Sequence, residues 1–218
     1  MKSVLIVGLG RFGRHLAKKM QELGNTVMVV DIDEAIIEMN APHFKNALQA
    51  DLTHSSVVER MDVSQFDICF VTIGDNFQSS LVVTSLLKRH GAKYVVSKAK
   101  RDIQEEILRQ IGADEIVYPE REIAEKLAVR FNAKNIFDYI PLTSEYSIYE
   151  IPIMPEWAGQ TLVEANVRRK HKISIIAIKS KGGKMMVTPP PDYTFERDDR
   201  IVVIGGSTDV FRLTAKIK

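Results

Sequence analysis

The sequence predicts an α/β protein with a doubly wound parallel sheet, followed by a smaller α+β domain. Three observations indicate this fold class. A glycine-rich turn follows the first apolar run, apolar runs alternate with helical patterns as far as residue 118, and a β-rich pattern with short helices follows residue 134. Alternating strand and helix patterns require right-handed crossovers and a parallel sheet covered on both faces. We expect domains at residues 1–134 and 135–218.

The composition of the 218 residues limits the class of protein. Apolar residues make up 45% of the chain, which suffices for a sizeable core. Lys and Arg number 30, against 28 for Asp and Glu. Because no basic field attracts a phosphate backbone, we expect no nucleic-acid partner. The single cysteine, Cys69, excludes an intramolecular disulfide framework and favours a reducing cytoplasm.

The start of the chain and its apolar runs bear on location. The sequence begins directly with a strand pattern and shows no secretory leader. Its longest apolar runs are far shorter than the about 20 residues that a membrane helix requires. We therefore expect a cytoplasmic protein that serves a membrane, if it does so, from outside the bilayer.

The glycine-rich turn has the spacing Gly-x-Gly-x-x-Gly. Gly8 permits a tight turn, Gly10 lets a phosphate approach bare backbone, and Gly13 lets the next helix pack closely on the strand. That helix begins with free N–H groups and the positive end of its dipole, which together bind anions. The turn therefore predicts the phosphate site of a Rossmann-type domain.

Asp31 ends the second apolar run, close to the about 20 residues after the glycines at which a Rossmann carboxylate binds the ribose of adenosine. The alternative is a solvated carboxylate that caps the following helix, a role that Asp33 can also fill. Because a glycine turn and a strand pattern both precede Asp31, we favour the ribose interpretation.

Ligands of doubly wound sheets lie beyond the carboxyl ends of the strands, where the strand order reverses. We therefore predict a nucleotide cleft from the residues at those ends. The predicted set is Gly8, Gly10, Arg11, Phe12, Gly13, Asp31, Ile32, Asp51, Leu52, Thr72, Ile73, Gly74, Asp75, Asn76, Lys98 and Glu120. Both halves of the double unit are present, so the cleft has room for a mononucleotide or a dinucleotide.

A helical pattern from Pro119 to Phe131 follows the last strand pattern of the first domain. Pro119 suits the first helical position, and Glu120 and Glu122 suit the positive end of the helix dipole. The helix has an apolar stripe, but no later strand of the first domain lies under it. Two alternatives stay open: the helix completes its own domain, or it crosses to a partner subunit.

The second domain shows no obvious catalytic set. Its only histidine, His171, lies in the basic run from Arg168 to Lys172. Such a run is typical of a solvated face, and the alternative is an anion site for a phosphate-bearing effector or a partner surface. Gly182 and Gly183 separate two apolar runs and predict a β-hairpin.

The motifs together resemble a known family. They are Gly8–Gly13, Val30–Asp33, Ile73–Ser80, Ile111–Asp114, Pro119–Glu120, Asn166–Arg168, Ile176–Ile178 and Asp198–Ile201. In this order they resemble the cytosolic regulator-of-potassium-conductance (RCK) subunits of Ktr- and Trk-type bacterial potassium uptake systems, over nearly the whole chain. The resemblance implies a nucleotide-sensing regulatory subunit and not an enzyme.

The resemblance also implies ligands and partners. The cleft would bind ATP or ADP, or alternatively NAD or NADH, and pass a conformational change to a membrane-embedded potassium-translocating subunit. The chain would form a homodimer that exchanges the helix of residues 119–131 and assembles into an octameric ring, peripheral at the inner face of the plasma membrane. Some relatives bind cyclic di-AMP in the C-terminal domain, which gives Asn166, Arg168 and Pro190 a role.

Roles within the predicted cleft follow from the same resemblance. It implies that Arg11 reaches a terminal phosphate and that Asp31 binds the ribose. The edges at Asp51-Leu52 and Ile73-Gly74 would border the adenine. Glu120 would help bind a divalent cation, Mg or Ca, near the phosphates.

A small NAD-dependent dehydrogenase is the alternative from a different class of protein. It requires a general acid or base near the nicotinamide and a substrate domain with a cleft. His15 and His90 fall on predicted helices away from the carboxyl edge of the sheet, and His54 falls on the adenosine side. The sequence shows no Ser-Tyr-Lys or His-Asp arrangement, and no helix-turn-helix that would indicate a repressor. We therefore favour the regulator.

Overall fold

The computed structural model describes residues 1–132 and 135–217. The chain divides into two compact units, residues 1–120 and residues 121–218. The predicted boundary between residues 134 and 135 touches residues outside the described ranges, as does the predicted end at residue 218. The division into domains 1–134 and 135–218 therefore stays a prediction. Each unit has its own sheet and its own hydrophobic core.

Strands and helices alternate through the first unit. In chain order they are β1 (Ser3–Val7), α1 (Arg11–Glu22), β2 (Thr26–Asp31), α2 (Glu34–Asn40), β3 (Asn46–Gln49), α3 (Ser55–Arg60), β4 (Ile68–Val71), α4 (Phe77–Arg89), β5 (Val95–Lys98), α5 (Asp102–Gln110) and β6 (Glu115–Val117). The next helix, α6 (Pro119–Asn132), begins at the end of this unit. Parallel pairing joins the strands in the order β3-β2-β1-β4-β5-β6, which confirms the predicted doubly wound parallel sheet.

The central strand β1 is buried on both faces, as expected of a parallel strand covered by helices. Val4, Leu5 and Ile6 are fully buried. Leu5 belongs to a core shared with β4 and α4, whereas Val4 and Ile6 belong to a core shared with α1 and α2. The chain runs from β1 outward to β3 and then returns to β4 on the other side of β1. This reversal of the strand order opens a crevice at the carboxyl ends of β1 and β4.

An antiparallel sheet forms the centre of the second unit. Its elements are β7 (Asp138–Pro141), β8 (Tyr146–Pro152), α7 (Leu162–Ala165), α8 (Val167–His171), β9 (Ser174–Lys179), β10 (Met185–Val187), β11 (Arg200–Gly206) and α9 (Ser207–Thr214). The strands pair in the order β10-β9-β11-β8-β7. Gly183, with a φ of +79°, lies in the turn between β9 and β10, whose pairing confirms the predicted hairpin. The unit as a whole confirms the predicted smaller α+β domain.

The helix α6 leaves its apolar stripe uncovered. No residue of α6 is buried in the described part of the chain, and Ile123, Leu127 and Phe131 are exposed. Because most helices in proteins are stabilised by burial of an apolar face, this exposed stripe is suited to pack against another surface. Within residues 1–132 and 135–217, no helix combines the length and the hydropathy needed to cross a bilayer.

Candidate functional site

A cavity of about 380 Å³ opens at the carboxyl ends of β1, β2 and β4. Its volume is that of a typical small-molecule pocket. The predicted residues that line it are Gly8, Gly10, Asp31, Ile32, Asp51, Leu52, Thr72, Ile73, Gly74, Asp75 and Asn76. The lining residues that the predicted set did not contain are Val7, Asp33, Ile36, Ala50, Thr53, Ser79 and Val83. The predicted residues Arg11, Phe12, Gly13, Lys98 and Glu120 lie outside the lining.

Close backbone contacts fix the glycine-rich turn. Gly8 has a φ of +97°, a conformation that favours glycine. A Cβ on Gly13 would lie 2.0 Å from the Gly8 carbonyl oxygen and 2.6 Å from Thr72 Oγ1. The Thr72 hydroxyl itself donates a 2.5 Å hydrogen bond to Gly8 O. Within the described residues, a Cβ on Gly10 would meet no atom within 4 Å, so Gly10 faces open space.

The helix α1 begins at this open space. Gly10 stands at its N-cap position and offers no side chain to accept from the first N–H groups, and the first turn contains no acidic residue. These N–H groups have no partner within the helix, and the helix dipole places about half a positive charge there. The start of α1 is therefore suited to bind an anion that approaches Gly10.

Asp31 connects the end of β2 to the glycine turn. Its Oδ2 accepts the N–H of Leu9 at 2.6 Å, and its Oδ1 accepts the N–H of Asp33 at 3.0 Å. Asp33 is the residue that caps α2, since its Oδ1 accepts the N–H of Ala35 at 2.9 Å. A carboxylate has about four acceptor positions, so Asp31 retains capacity for hydroxyl donors in the cavity.

Asp51 lies at the carboxyl side of β3, where it closes a local turn. Its Oδ1 accepts the N–H of Thr53 at 2.9 Å and the Thr53 hydroxyl at 2.7 Å. These hydrogen bonds lower the pKa of Asp51, against a rise from burial, and the charge of His54 lowers it further. Asp51 is therefore ionised at neutral pH. Its partner Thr53 lines the cavity and was missed by the sequence analysis, although the Asp-x-Thr spacing is a turn signal.

Lys98, at the end of β5, is a buried cation beside the start of α1. Its ammonium donates a 2.7 Å hydrogen bond to Glu120 Oε1 and lies 5.5 Å from the centre of the Phe12 ring. The Lys98 side chain is 8% exposed and that of Glu120 is 58% exposed. The hydrogen bond from Lys98 lowers the pKa of Glu120. The structure thus brings together three predicted residues that do not line the cavity.

A second lysine, Lys100, lies beside Gly74, since a Cβ on Gly74 would be 3.2 Å from Lys100 Cε. Its ammonium donates to Asp75 Oδ1 at 2.8 Å. This hydrogen bond lowers the pKa of Asp75, and the charges of Lys98 and Arg11 lower it further. We call Arg11, Lys98 and Lys100 the basic cluster, since the positive charge of each lowers the pKa of Asp75. Lys100 was not among the residues predicted from the sequence, although its position two residues after β5 is a signal that could have identified it.

The cavity is suited to binding rather than to proton transfer. Its lining contains aspartates but, over residues 1–132 and 135–217, no histidine, cysteine, lysine or tyrosine. Asp51 and Asp75 have lowered pKa values and are poor proton acceptors at neutral pH. In the part of the chain that the structure describes, no group of three or more His, Cys, Asp or Glu is placed to hold a metal ion.

The residues predicted to bind cyclic di-AMP lie in two neighbouring segments of the second unit, at the start of α8 and in the proline turn, residues 189–191. Asn166 adopts a left-handed conformation between α7 and α8, and Arg168 is exposed on α8. The N–H of Val163 donates to Pro191 O at 3.3 Å, which brings the start of α7 beside the proline turn. Pro190 is exposed in that turn.

Comparison with known proteins identifies the family. The TrkA-N domain model matches residues 4–119, and the TrkA-C domain model matches residues 146–218. The chain belongs to the TrkA-N/TrkA-C family. The Ktr system potassium uptake protein C of Bacillus subtilis (strain 168) is 37% identical to this family member over 216 residues, 99% of this chain and 97% of that protein. The Ktr system potassium uptake protein A of the same organism is 31% identical over 97% of this chain and 95% of that protein.

Solved structures share the fold of this TrkA-N/TrkA-C chain. The RCK domain of GsuK superposes with a TM-score of 0.69 at 18% identity, over 99% of this chain and 47% of that chain. The GsuK channel bound to NAD gives a TM-score of 0.70 at 18% identity, over 100% of this chain and 39% of that chain. The TrkA-N/TrkA-C chain thus spans less than half of these GsuK chains. The structural matches confirm the predicted fold. The domain models and the Ktr relatives confirm the predicted Ktr- and Trk-type RCK family.

Proposed function

We propose that this TrkA-N/TrkA-C protein is the nucleotide-sensing regulatory subunit of a potassium uptake system. The cleft binds ATP or ADP, with NAD or NADH as the alternative, and a membrane-embedded potassium-translocating subunit responds to the resulting change of shape. The observation that carries the proposal is the uncapped start of α1 beside Asp31 and the basic cluster. It occurs in a chain whose relatives are named Ktr system potassium uptake proteins.

The polar groups of the cleft match the parts of an adenine nucleotide. Phosphates bind at the start of α1, where Gly10 leaves the backbone accessible. The ribose hydroxyls donate to Asp31, which holds the glycine turn with other lone pairs of the same carboxylate. The adenine lies between Ile32, Leu52 and Ile73, which line the cavity. Solved GsuK structures with NAD and with ADP support an adenine nucleotide in this fold.

Arg11 is the proposed discriminator between ATP and ADP. It is exposed at the first position of α1, beside the open space at Gly10. A guanidinium near the third phosphate forms charge-assisted hydrogen bonds that ADP cannot provide. A ligand shifts a conformational equilibrium only by its difference in affinity for the two states, so this difference is what the regulator uses.

The Lys98–Glu120 ion pair is the proposed connection between the phosphates and α6. Lys98 is buried, and among the described residues Glu120 is the carboxylate with which it pairs. Phosphate oxygens at the start of α1, near Phe12, compete with Glu120 for the Lys98 ammonium. Nucleotide binding therefore weakens a contact at the first turn of α6.

The exposed stripe of α6 supports the proposed homodimer. Ile123, Leu127 and Phe131 are four residues apart and lie on one face of the helix, with Phe131 76% exposed. A second copy presents the same stripe, and a two-fold contact buries both. The proposed dimers assemble into an octameric ring in the cytoplasm, at the inner face of the plasma membrane, as the RCK family implies.

The proposal includes a divalent cation, Mg or Ca, at Glu120. Lys98 holds the pKa of Glu120 below its ordinary value, so the carboxylate is ionised at neutral pH. When phosphate draws Lys98 away, Glu120 and the phosphate oxygens offer the hard anionic ligands that these cations prefer.

The proposal also includes cyclic di-AMP as an effector of the second unit. Arg168 supplies a cation, and Asn166 and Pro190 belong to the adjoining backbone turns. A guanidinium pairs readily with a phosphodiester. The contact between the start of α7 and the proline turn supports a common site.

The decisive test of the regulatory role combines the full chain with the potassium-translocating subunit of a Ktr or Trk system in lipid vesicles. We expect the two proteins to co-purify and the potassium flux to differ between ATP and ADP. Equal flux with either nucleotide and without nucleotide, while nucleotide still binds, would contradict the role. Steady oxidation of NADH with a small substrate would support the dehydrogenase alternative instead.

A further inference from the structure

We infer that the first unit carries a second anion site, for a small molecule with two or more phosphate groups. The site is a cavity of about 420 Å³ between α1 and the segment that follows α2. Its lining residues are Arg14, His15, Lys18, Gln21, Glu22, Asn40, His43 and Phe44. None of these residues lines the cleft at the carboxyl ends of the strands, so the inference does not depend on the nucleotide proposal.

One face of α1 supplies most of the donors. Lys18 is spaced i+4 from Arg14 and i+3 from His15, which makes it a neighbour of both on the helix surface, and all three line the cavity. His43 lies in the segment after α2, where its backbone N–H donates to the backbone carbonyl of Asn40 at 2.9 Å. Two fixed cations and two imidazoles therefore surround one concave space.

The charge in this cavity is not balanced by the protein. Glu22 is the acidic residue of the lining, and its carboxylate already bonds Lys19 at 3.2 Å. Over residues 1–132 and 135–217, no carboxylate forms an ion pair with Arg14 or Lys18. An arginine fork and a lysine ammonium in a concave site are the groups that proteins use to bind phosphate oxygens.

The walls of the cavity are held in place by the surrounding structure. Phe44 is buried and belongs to the core beneath α1 and α2. Asn40 is buried as well, and its amide donates to Ile36 O at 2.7 Å, which fixes the end of α2. Phe44 supplies an apolar part of the wall, and the other seven lining residues are polar or charged. These contacts fix the wall of the cavity that carries His43.

Pyrophosphate is the probe, and the histidine side chains are the reporters. In the full-length protein at constant ionic strength, we expect pyrophosphate to shift the NMR signals of His15 and His43 saturably. The double variant Arg14→Gln/Lys18→Gln should weaken this binding about tenfold or more, since it removes two charge-assisted contacts. The control variant Lys45→Gln removes a nearby exposed cation outside the lining and should leave the affinity unchanged.

A single variant guards against misfolding of the double variant. Lys18 is exposed, so Lys18→Glu should keep the melting temperature of the wild type and still abolish the saturable shifts. Three results would overturn the site: shifts that sodium chloride reproduces, wild-type affinity in both variants, or no shift of either histidine. Tighter binding of citrate than of pyrophosphate would overturn the assignment to phosphate.

Discussion

The Lys98 ammonium donates a 2.7 Å hydrogen bond to the Glu120 carboxylate and so joins the end of β5 to the first turn of α6. The lysine is buried, whereas the glutamate is largely exposed. A buried cation needs an anion beside it, because an unpaired charge away from water is costly. In the proposed function, Glu120 and the nucleotide phosphates compete for this one ammonium.

The variant Glu120→Gln should bind ATP about threefold more tightly in the presence of EDTA, because the phosphates no longer compete with a carboxylate for Lys98. Added Mg²⁺ should reduce this gain, since Glu120 is also the proposed ligand of the cation. Isothermal titration calorimetry measures both affinities. Glu125→Gln, one turn further along α6, is the control and should match the wild type. Weaker ATP binding by Glu120→Gln in EDTA would contradict the competition.

The variant Arg11→Ala should weaken ATP binding about tenfold more than ADP binding, since only ATP places a third phosphate near the guanidinium. Titration of each nucleotide against thermal unfolding provides the two affinities. Lys19→Ala is the control on the same helix, because Lys19 pairs with Glu22 and does not line the cavity. Equal losses of ATP and ADP affinity would remove Arg11 as the discriminator.

Asp31 and Asp33 provide a matched pair of substitutions. Asp31→Asn places an amide where a carboxylate oxygen accepts a backbone N–H, so we expect it to weaken ATP, ADP and NADH binding alike, by about tenfold. Asp33→Asn should change binding little, because asparagine also caps helices well. Calorimetric titration distinguishes the two. The ribose assignment fails if Asp31→Asn binds all three nucleotides as tightly as the wild type.

Alanine substitutions at Gly13 and at Gly10 should separate effects on the stability of the fold from effects on nucleotide binding. Gly13→Ala places a Cβ 2.0 Å from Gly8 O, so it should destabilise the fold by about 1–3 kcal/mol. Gly10→Ala meets no described atom within 4 Å and should change stability by less than about 1 kcal/mol, yet weaken nucleotide binding at the start of α1. Urea unfolding and nucleotide titration of both variants test this. Unchanged ATP affinity in Gly10→Ala would place the phosphates elsewhere.

The sequence predicted the fold and much of the cleft for reasons that are local. Apolar runs such as Val4 to Val7 indicate a parallel strand covered on both faces, and the glycine spacing indicates the turn that follows it. The rule that ligands lie at the carboxyl ends of strands then selected residues from separate elements. Asp31 and Gly74, which are far apart in the chain, line one cavity as that rule predicts.

The residues that the sequence did not predict depend on contacts between distant segments. Lys100 does not line the cleft, but its ammonium donates to the lining residue Asp75, which lies 25 positions earlier in the chain. The cavity at Arg14 and His43 depends on how closely α1 approaches the segment after α2. Neither of these two distances can be predicted from the hydrophobic periodicity of the sequence. The sequence likewise leaves both alternatives for α6 open, since an apolar stripe has the same pattern whether it is covered by its own domain or by a partner.

Cys69 should report unfolding and nucleotide binding through its reactivity. It is fully buried in β4, and burial raises the pKa of its thiol to about 12, so almost no reactive thiolate exists at neutral pH. We expect iodoacetamide to modify Cys69 only when β4 is exposed by unfolding. If ATP at 100 times its dissociation constant stabilises the fold by about 2.7 kcal/mol, modification should slow about a hundredfold. Mass spectrometry follows the reaction.

In Arg11→Ala, the same ATP concentration should protect Cys69 much less than in the wild type, whereas modification without nucleotide should proceed at the wild-type rate. Rapid modification of the native protein would show that β4 opens locally, and equal protection by ATP in both proteins would separate Arg11 from the nucleotide.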